Sequence, residues 1–262
     1  MKCLLVTIAI GEKYLTMYNN LFHESQRKYA SKHGYDFKVI TEFLDKTFQC
    51  NSSISFNKIL VCNQEWSNEY DFIVFIDADI LININSPPIH SHVDYEGRIG
   101  IIDEYSQPSK ERRLKIQQKM RCEASATDYY KLCGLDIQTD MVFNSGVLVL
   151  QPKLHGDFLK NVYDKYVKHS VNHYRKFHFE QSCIGYELQK NNLYKVIDNR
   201  FNAVWGLTKM DNVKNMSLDN YFYYNYFTHF AGKVDLAKVK TIKQWNTPQL
   251  KNRSLDCCIK NI

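Results

Sequence analysis

No stretch of this 262-residue chain strings together the roughly 18 apolar residues that a membrane-spanning helix needs. No C-x-x-C pair occurs among its eight cysteines, at 3, 50, 62, 122, 133, 183, 257 and 258, and their spacings match no zinc site. The chain is too long and too rich in core residues to depend on disulfide staples, so the thiols read as mostly reduced and partly buried. Internal repeats and low-complexity linkers are missing, which predicts one domain over 1–262. Strong charge of one sign is missing too. Lys plus Arg number 34 against 28 Asp plus Glu, a surplus of 6. That is too little for a nucleic-acid binder, and it suits contact with anionic small molecules or anionic lipid.

What is present is core material. Hydrophobic residues make up 44% and aromatics 14%, with 18 Tyr and 15 Phe, which argues against disorder. The opening "MKCLLVTIAIGEKY" resembles a signal peptide only superficially. Thr7 interrupts its apolar run, and charged Glu12 and Lys13 follow with no clear cleavage site. It reads as a first strand. With no targeting signal, the expected location is cytoplasmic or peripheral on a membrane, and the N-x-Ser sequons at Asn51, Asn215 and Asn252 read as chance matches.

Strand and helix signals alternate. "CLLVTIAI" (3–10) is a buried strand ended by Gly11, and residues 12–33 follow with Leu15, Tyr18, Phe22 and Tyr29 at helical spacing up to Gly34. Further strands are predicted at 35–40, 71–76, 97–103, 145–152 and 193–198. Helices are predicted at 56–68, at 109–132, from Pro152 to about Val171, and around 180–190. The last thirty residues read as a packed, Lys-rich tail. This rhythm predicts an α/β fold with a mostly parallel sheet and helices on both faces. The near-continuous apolar strands agree.

One strand ends unusually. "DFIVFIDADILI" (71–82) carries Asp77 and Asp79 to the edge where α/β sheets bind ligands. On an extended segment, residues i and i+2 point the same way. Two unpaired anions so close repel each other, and Mg²⁺ or Mn²⁺ would remove the conflict while bridging to phosphate. The plain alternative makes Asp77 a helix cap and Asp79 a turn residue. A D-x-D arises by chance in a chain this long about as often as not. The continuous buried strand before it favours the metal.

These residues resemble a known family. "YDFIVFIDADILI" is similar to the D-x-D segment of GT-A glycosyltransferases, which use nucleotide-sugar donors. "FNKILVCNQ" (56–64) resembles the Lys-bearing helix of glycosyltransferase family 34, and "VFNSGVLVLQP" (142–152) the NSG strand of families 8 and 34. "FEQSCIGYEL" (179–188), "DNRFNAVWG" (198–206) and "FTHFAGK" (227–233) resemble their later elements in the same order. The resemblance implies a single GT-A domain with a nucleotide-sugar-binding half (1–105), an acceptor half (106–235) and a C-terminal tail (236–262).

It also implies roles. Asp77 and Asp79, with Ala78 between them, would bind the metal and through it the donor diphosphate. His229 would complete the metal shell. Thr7, Ile8, Ala9 and Gly11, with Tyr14, would line the base and ribose. Lys58, Asn144, Ser145, Gly146, Glu180 and Gln181 would face the sugar and the reacting centre, and Gly232 and Lys233 the phosphates. The sequence departs from family 8 after Gly232, where Lys233-Val234-Asp235 replaces the usual x-x-Lys-Pro-Trp, and "KQWN" (243–246) is out of register.

Each role has a plainer competitor. His229 is also a reasonable core histidine between Phe227 and Phe230. Lys58 is also a solvated helical lysine. Asn144 and Gly146 suit a tight turn, and Glu180 suits a helix first turn on dipole grounds alone. Asp103 and Glu104 end another strand, as a polar loop or as a general base. The basic run 110–121 is a solvated face or a contact for an anionic membrane or acceptor. The function expected is metal-dependent transfer of a hexosyl or pentosyl group from a UDP- or GDP-sugar to a glycan hydroxyl, with retention of configuration. The alternatives are a sugar nucleotidyltransferase, disfavoured because "TIAIGEKY" is no Gly-rich phosphate loop, and a non-catalytic nucleotide-sugar or glycan-binding module.

Overall fold

In the computed structural model, which describes residues 1–120, 125–171, 180–211, 216–233 and 235–242, the apolar runs become strands. Strand β1 (Cys3–Ile8) leads through helices α1 (Glu12–Leu21) and α2 (His23–His33) to β2 (Asp36–Ile40). Strand β3 (Phe72–Ile76) is followed at once by β4 (Ile80–Ile82) and later by β5 (Ile99–Asp103). Helices α3 (Lys110–Met120) and α4 (Ala126–Leu132) precede β6 (Phe143–Leu150), and α5 (Pro152–Val171) and α6 (Gln181–Lys190) follow it. Three short strands come last: β7 (Tyr194–Val196), β8 (Ala203–Val204) and β9 (Phe227–His229).

The large sheet has the order β2-β1-β3-β6-β5-β7. Strand β1 runs parallel to both β2 and β3, and β5 runs parallel to β7. Strand β6 is antiparallel to both its neighbours, so the α/β sheet is mixed. The chain leaves β5 through α3 and α4 and returns beside it, as a long hairpin would, instead of crossing over. Alternate residues of β1 serve different faces. Leu4 and Val6 pack with Phe56, Phe143 and Leu159, while Cys3 and Leu5 pack with Tyr29, Val74 and Phe227. Covering both faces is why the strand is apolar at every position but Thr7.

A second sheet, β4-β9-β8, has strands of only three, three and two residues. It sits at the end of β3 and sets the position of the site. A third apolar cluster lies under it, with Ala9, Ala78, Tyr18, Phe22, Trp205 and Phe230.

Three local predictions need correction. The helix over 12–33 is two helices, broken at Phe22, whose ring is fully buried 5.8 Å from that of Phe230. The helix over 56–68 is two 3-10 segments, Ser55–Asn63 and Glu65–Glu69, the first packed on α5. Every residue from Phe56 to Cys62 is buried, so no polar face selects the 3.6-residue period. The span 109–132 is two helices, α3 and α4, and α3 buries Arg113, Ile116 and Gln117 on one face while its lysines are exposed.

Among the described residues, Cys3, Cys50, Cys62, Cys133 and Cys183 are free thiols. No described helix is long and apolar enough to cross a membrane. Cys122, Cys257, Cys258, the sequons at Asn215 and Asn252, Phe179, Val234 and "KQWN" lie outside the described residues, as does the Lys233 side chain.

Candidate active site

The acids are brought together by a turn. Strand β3 stops at Ile76, and Ile80 N–H donates back to the Asp77 carbonyl at 3.3 Å. The expected extended i, i+2 geometry is therefore replaced by a tight bend. The bend is held from both sides. Asp77 N–H donates to the Gly146 carbonyl on β6 at 2.8 Å. From α2, the buried Gln26 amide donates to the carbonyls of Asp77 (3.4 Å) and Ile80 (3.0 Å), and its own oxygen accepts from Tyr18 Oη at 3.1 Å. Ala78, between the acids, is buried in the third cluster.

The small sheet delivers His229. Strand β9 pairs with β4 so that His229 lies opposite Ile80, and Phe230 N–H donates to the Asp79 carbonyl at 3.0 Å. His229 Nε2 lies 3.2 Å from Asp79 Oδ1 and 3.8 Å from Asp77 Oδ2. One ligand atom from each residue lies within 4.8 Å of the others. Two carboxylates and an imidazole suit Mn²⁺ or Mg²⁺ by donor chemistry, the nitrogen favouring the former. Gly146 makes the approach possible. A Cβ there would lie 2.6 Å from His229 Cε1.

The His229 Nδ1 lies 2.8 Å from Asn202 Oδ1. Asn202 Nδ2 donates to Asn144 Oδ1 (2.7 Å), which also accepts from Gly146 N–H (2.9 Å). Asn144 Nδ2 donates to Glu104 Oε2 at 2.6 Å, and Arg113 donates to the other Glu104 oxygen at 2.6 Å. Gln181 Nε2 reaches Glu104 Oε2 at 3.5 Å. Glu104 is thus a partly buried hub and not an ordinary loop residue. Its neighbour Asp103 accepts from Tyr105 N–H and Val142 N–H.

Lys58 lies beneath the acids. Its Nζ is 2.7 Å from Asp77 Oδ1 and 2.7 Å from Glu180 Oε1, and it donates to the Ser145 carbonyl at 3.3 Å. Its side chain is 6% exposed, so it is a buried cation and not a solvated one. It occupies one oxygen of Asp77 and leaves Oδ2 towards His229. Ser145 Oγ donates to Glu180 Oε1 at 2.7 Å, while Glu180 Oε2 is buried with no partner.

Burial dominates the electrostatics. It opposes the Lys58 charge, but the Asp77 and Glu180 carboxylates outweigh it and hold the amine protonated. Burial pushes the Asp77 carboxyl up, against the pull of Lys58 and His229. Partial burial acts on Asp79 in the same direction, yet His229 beside it brings it below the usual range. His229 is raised, because the adjacent Asp79 overcomes burial. Among the described residues, Asp77, Asp79, Glu104 and Glu180 face two permanent cations, Lys58 and Arg113. A divalent cation fits that imbalance.

Thr7 and Ala9 are fully buried and Ile8 nearly so, leaving little side chain for a ligand. Gly11 is exposed at φ 92°, a conformation that favours glycine, and opens α1. Tyr14 packs on the third apolar cluster, and burial raises its phenol, with the charges of Asp79 and Asp77 adding to the effect. Gly232 has φ 71° just past β9. Gln26, Arg113 and Asn202 were missed as site residues, and Glu104 was weighed as a loop residue or a general base and not as a partner of Asn144 and Arg113. Asn202 had a sequence signal, the "FN" of "DNRFNAVWG", and Glu104 ends a strand at the ligand-binding edge. Gln26 had none.

No protein-family profile and no curated protein matches this sequence. Solved structures do. A glycosyltransferase involved in the glycosylation of the major capsid of PBCV-1 matches 92% of this chain and 98% of its own, at 15% identity and a TM-score of 0.59. Galactosyltransferase LgtC, in complex with donor and acceptor sugar analogs, matches over 95% and 98%, at 12% identity and 0.56. Mouse xyloside xylosyltransferase 1 matches over 89% and 99%, at 14% identity and 0.50. At these identities the likeness is one of fold. The chain has the GT-A fold.

Proposed function

We propose that the protein is a metal-dependent glycosyltransferase that moves a hexosyl or pentosyl group from a UDP- or GDP-sugar to a hydroxyl of a glycan acceptor. The observation that carries this reading is the convergence of Asp77, Asp79 and His229 at the C-terminal end of β3 within a GT-A fold. Mn²⁺ or Mg²⁺ held by these three would act as a Lewis acid, drawing charge off the departing nucleoside diphosphate.

The chain's own groups do the rest. Lys58 fixes the Asp77 carboxylate and holds the Glu180 carboxyl group beside it. The unpartnered Glu180 oxygen and the Gln181 amide stabilise positive charge growing at the anomeric carbon. Gly11 and Tyr14 serve the nucleoside. Asn144 acts through its neighbours, since its amide is spent on Glu104, Asn202 and Gly146. The reading treats 1–262 as one domain, and retention of configuration goes with it.

The test has two parts. A thermal-shift screen of UDP- and GDP-sugars with and without Mn²⁺ should find a donor that stabilises the fold only with the ion. Asp79→Asn should cut metal-dependent release of nucleoside diphosphate by at least ~100-fold, comparable to the loss of a strong electrostatic group. Undiminished release from that variant defeats the proposal.

A further inference from the structure

The hydrogen bonds behind His229 have only one consistent direction. Glu104 is a carboxylate with Arg113 on one oxygen, so its other oxygen can only accept. Asn144 must therefore turn Nδ2 towards it and Oδ1 away. The backbone N–H of Gly146, donating to that same Oδ1, fixes Asn144 independently. Asn202 must then present Nδ2 to Asn144, leaving Oδ1 to face the imidazole. An amide oxygen only accepts, so His229 Nδ1 carries the proton. Asn144 and Asn202 are both buried, so solvent offers no substitute partners.

We infer that Asn202 is a positioning residue for the metal ligand. It holds the proton of neutral His229 on Nδ1 and aims the Nε2 lone pair at the point where Asp77 Oδ2 and Asp79 Oδ1 converge. The direction is set at the Arg113–Glu104 ion pair and handed through Asn144. A ligating histidine whose far nitrogen lacks such a partner loses ring orientation, and metal affinity falls by about 10- to 100-fold. The inference rests on the metal reading above and goes beyond it, because it assigns a function to residues that touch no ligand.

The test uses Mn²⁺ alone, with free ion measured by electron paramagnetic resonance. Asn202→Leu keeps the volume and removes the acceptor, and should weaken Mn²⁺ binding about tenfold or more. In a His229→Ala background the same change should shift affinity less than about twofold, since its effect runs through the imidazole. Unchanged affinity in a folded Asn202→Leu protein overturns the inference, and so does an equal loss without His229. A second measurement needs no variant. With Cd²⁺ bound to the wild type, long-range proton–nitrogen spectra should show the His229 proton on Nδ1. A proton on Nε2 overturns the inference even if Asn202→Leu fails to fold. Failure of the wild type to bind any divalent ion defeats the metal reading and this one together, whereas binding indifferent to Asn202 defeats this one alone.

Discussion

The two sheets divide the work of the molecule unequally. The four inner strands of the large sheet are buried on both faces and carry most of the apolar core. The small sheet has strands of two or three residues, yet it brings His229 against Asp79 and Asn202 against His229. Stability and registration of the site are therefore separable. A sheet too small to stand by itself can still be decisive when it docks on the end of a rigid strand.

Paired truncations test the separation most strongly. Leu5→Ala in β1 and Phe227→Ala in β9 both empty fully buried positions and should each cost about 2–5 kcal/mol in chemical denaturation. Only the second should also weaken Mn²⁺ binding, because Phe227 lies two residues from His229. If both variants bind Mn²⁺ alike, the division is wrong.

Asp103, at the end of β5, gives a pH test. Burial pushes its carboxyl up to about 6 from an ordinary value of 3.8. A raised acid is at no disadvantage below about 4 and costs stability as pH climbs through about 6. By linkage the loss is about 2–3 kcal/mol. Asp103→Asn keeps an acceptor for Tyr105 N–H and Val142 N–H but cannot ionise. Its stability relative to wild type should rise by that amount between pH 4 and pH 7, read by urea melts without metal. A flat difference contradicts the assignment.

Gly146 links the two sheets. Gly146→Ala drives a methyl into the His229 ring and should cost about 1–3 kcal/mol of stability. Nucleoside diphosphate release should drop further than melting temperature alone accounts for. Smallest of all is Thr228→Val in β9. Thr228 Oγ1 is buried and unpartnered, so the near-isosteric change should be neutral or stabilising by up to about 1 kcal/mol. A loss larger than that would show that the hydroxyl has a partner.

The sequence made the large sheet readable, because "CLLV", "FIVFI" and "VLVL" are uninterrupted apolar runs bounded by polar or turn residues. The small sheet was unreadable for the opposite reason. Strands of two or three residues are too short to display a period, and "ILI" merges with the strand before it. The acids and His229 were found by residue type and resemblance, while the geometry uniting them was not. A turn, not strand alternation, brings Asp77 and Asp79 together. Lys58 was legible as a basic residue near the site, but its burial depended on α6 supplying Glu180 from 122 positions further along. Asn202 and Gln26 act through backbone and amide partners distant in sequence, and single-chain patterning does not encode such contacts.

Lys58 has a practical consequence. Many small metalloproteins collapse when a chelator strips them, because their ligands repel once the ion has gone. Here a permanent ammonium stays wedged between Asp77 and Glu180, and His229 can take up a proton beside Asp79. The stripped protein thus keeps its own counter-charges. It should survive chelation, storage and refilling with a chosen ion, so one preparation can be compared across metals without being refolded.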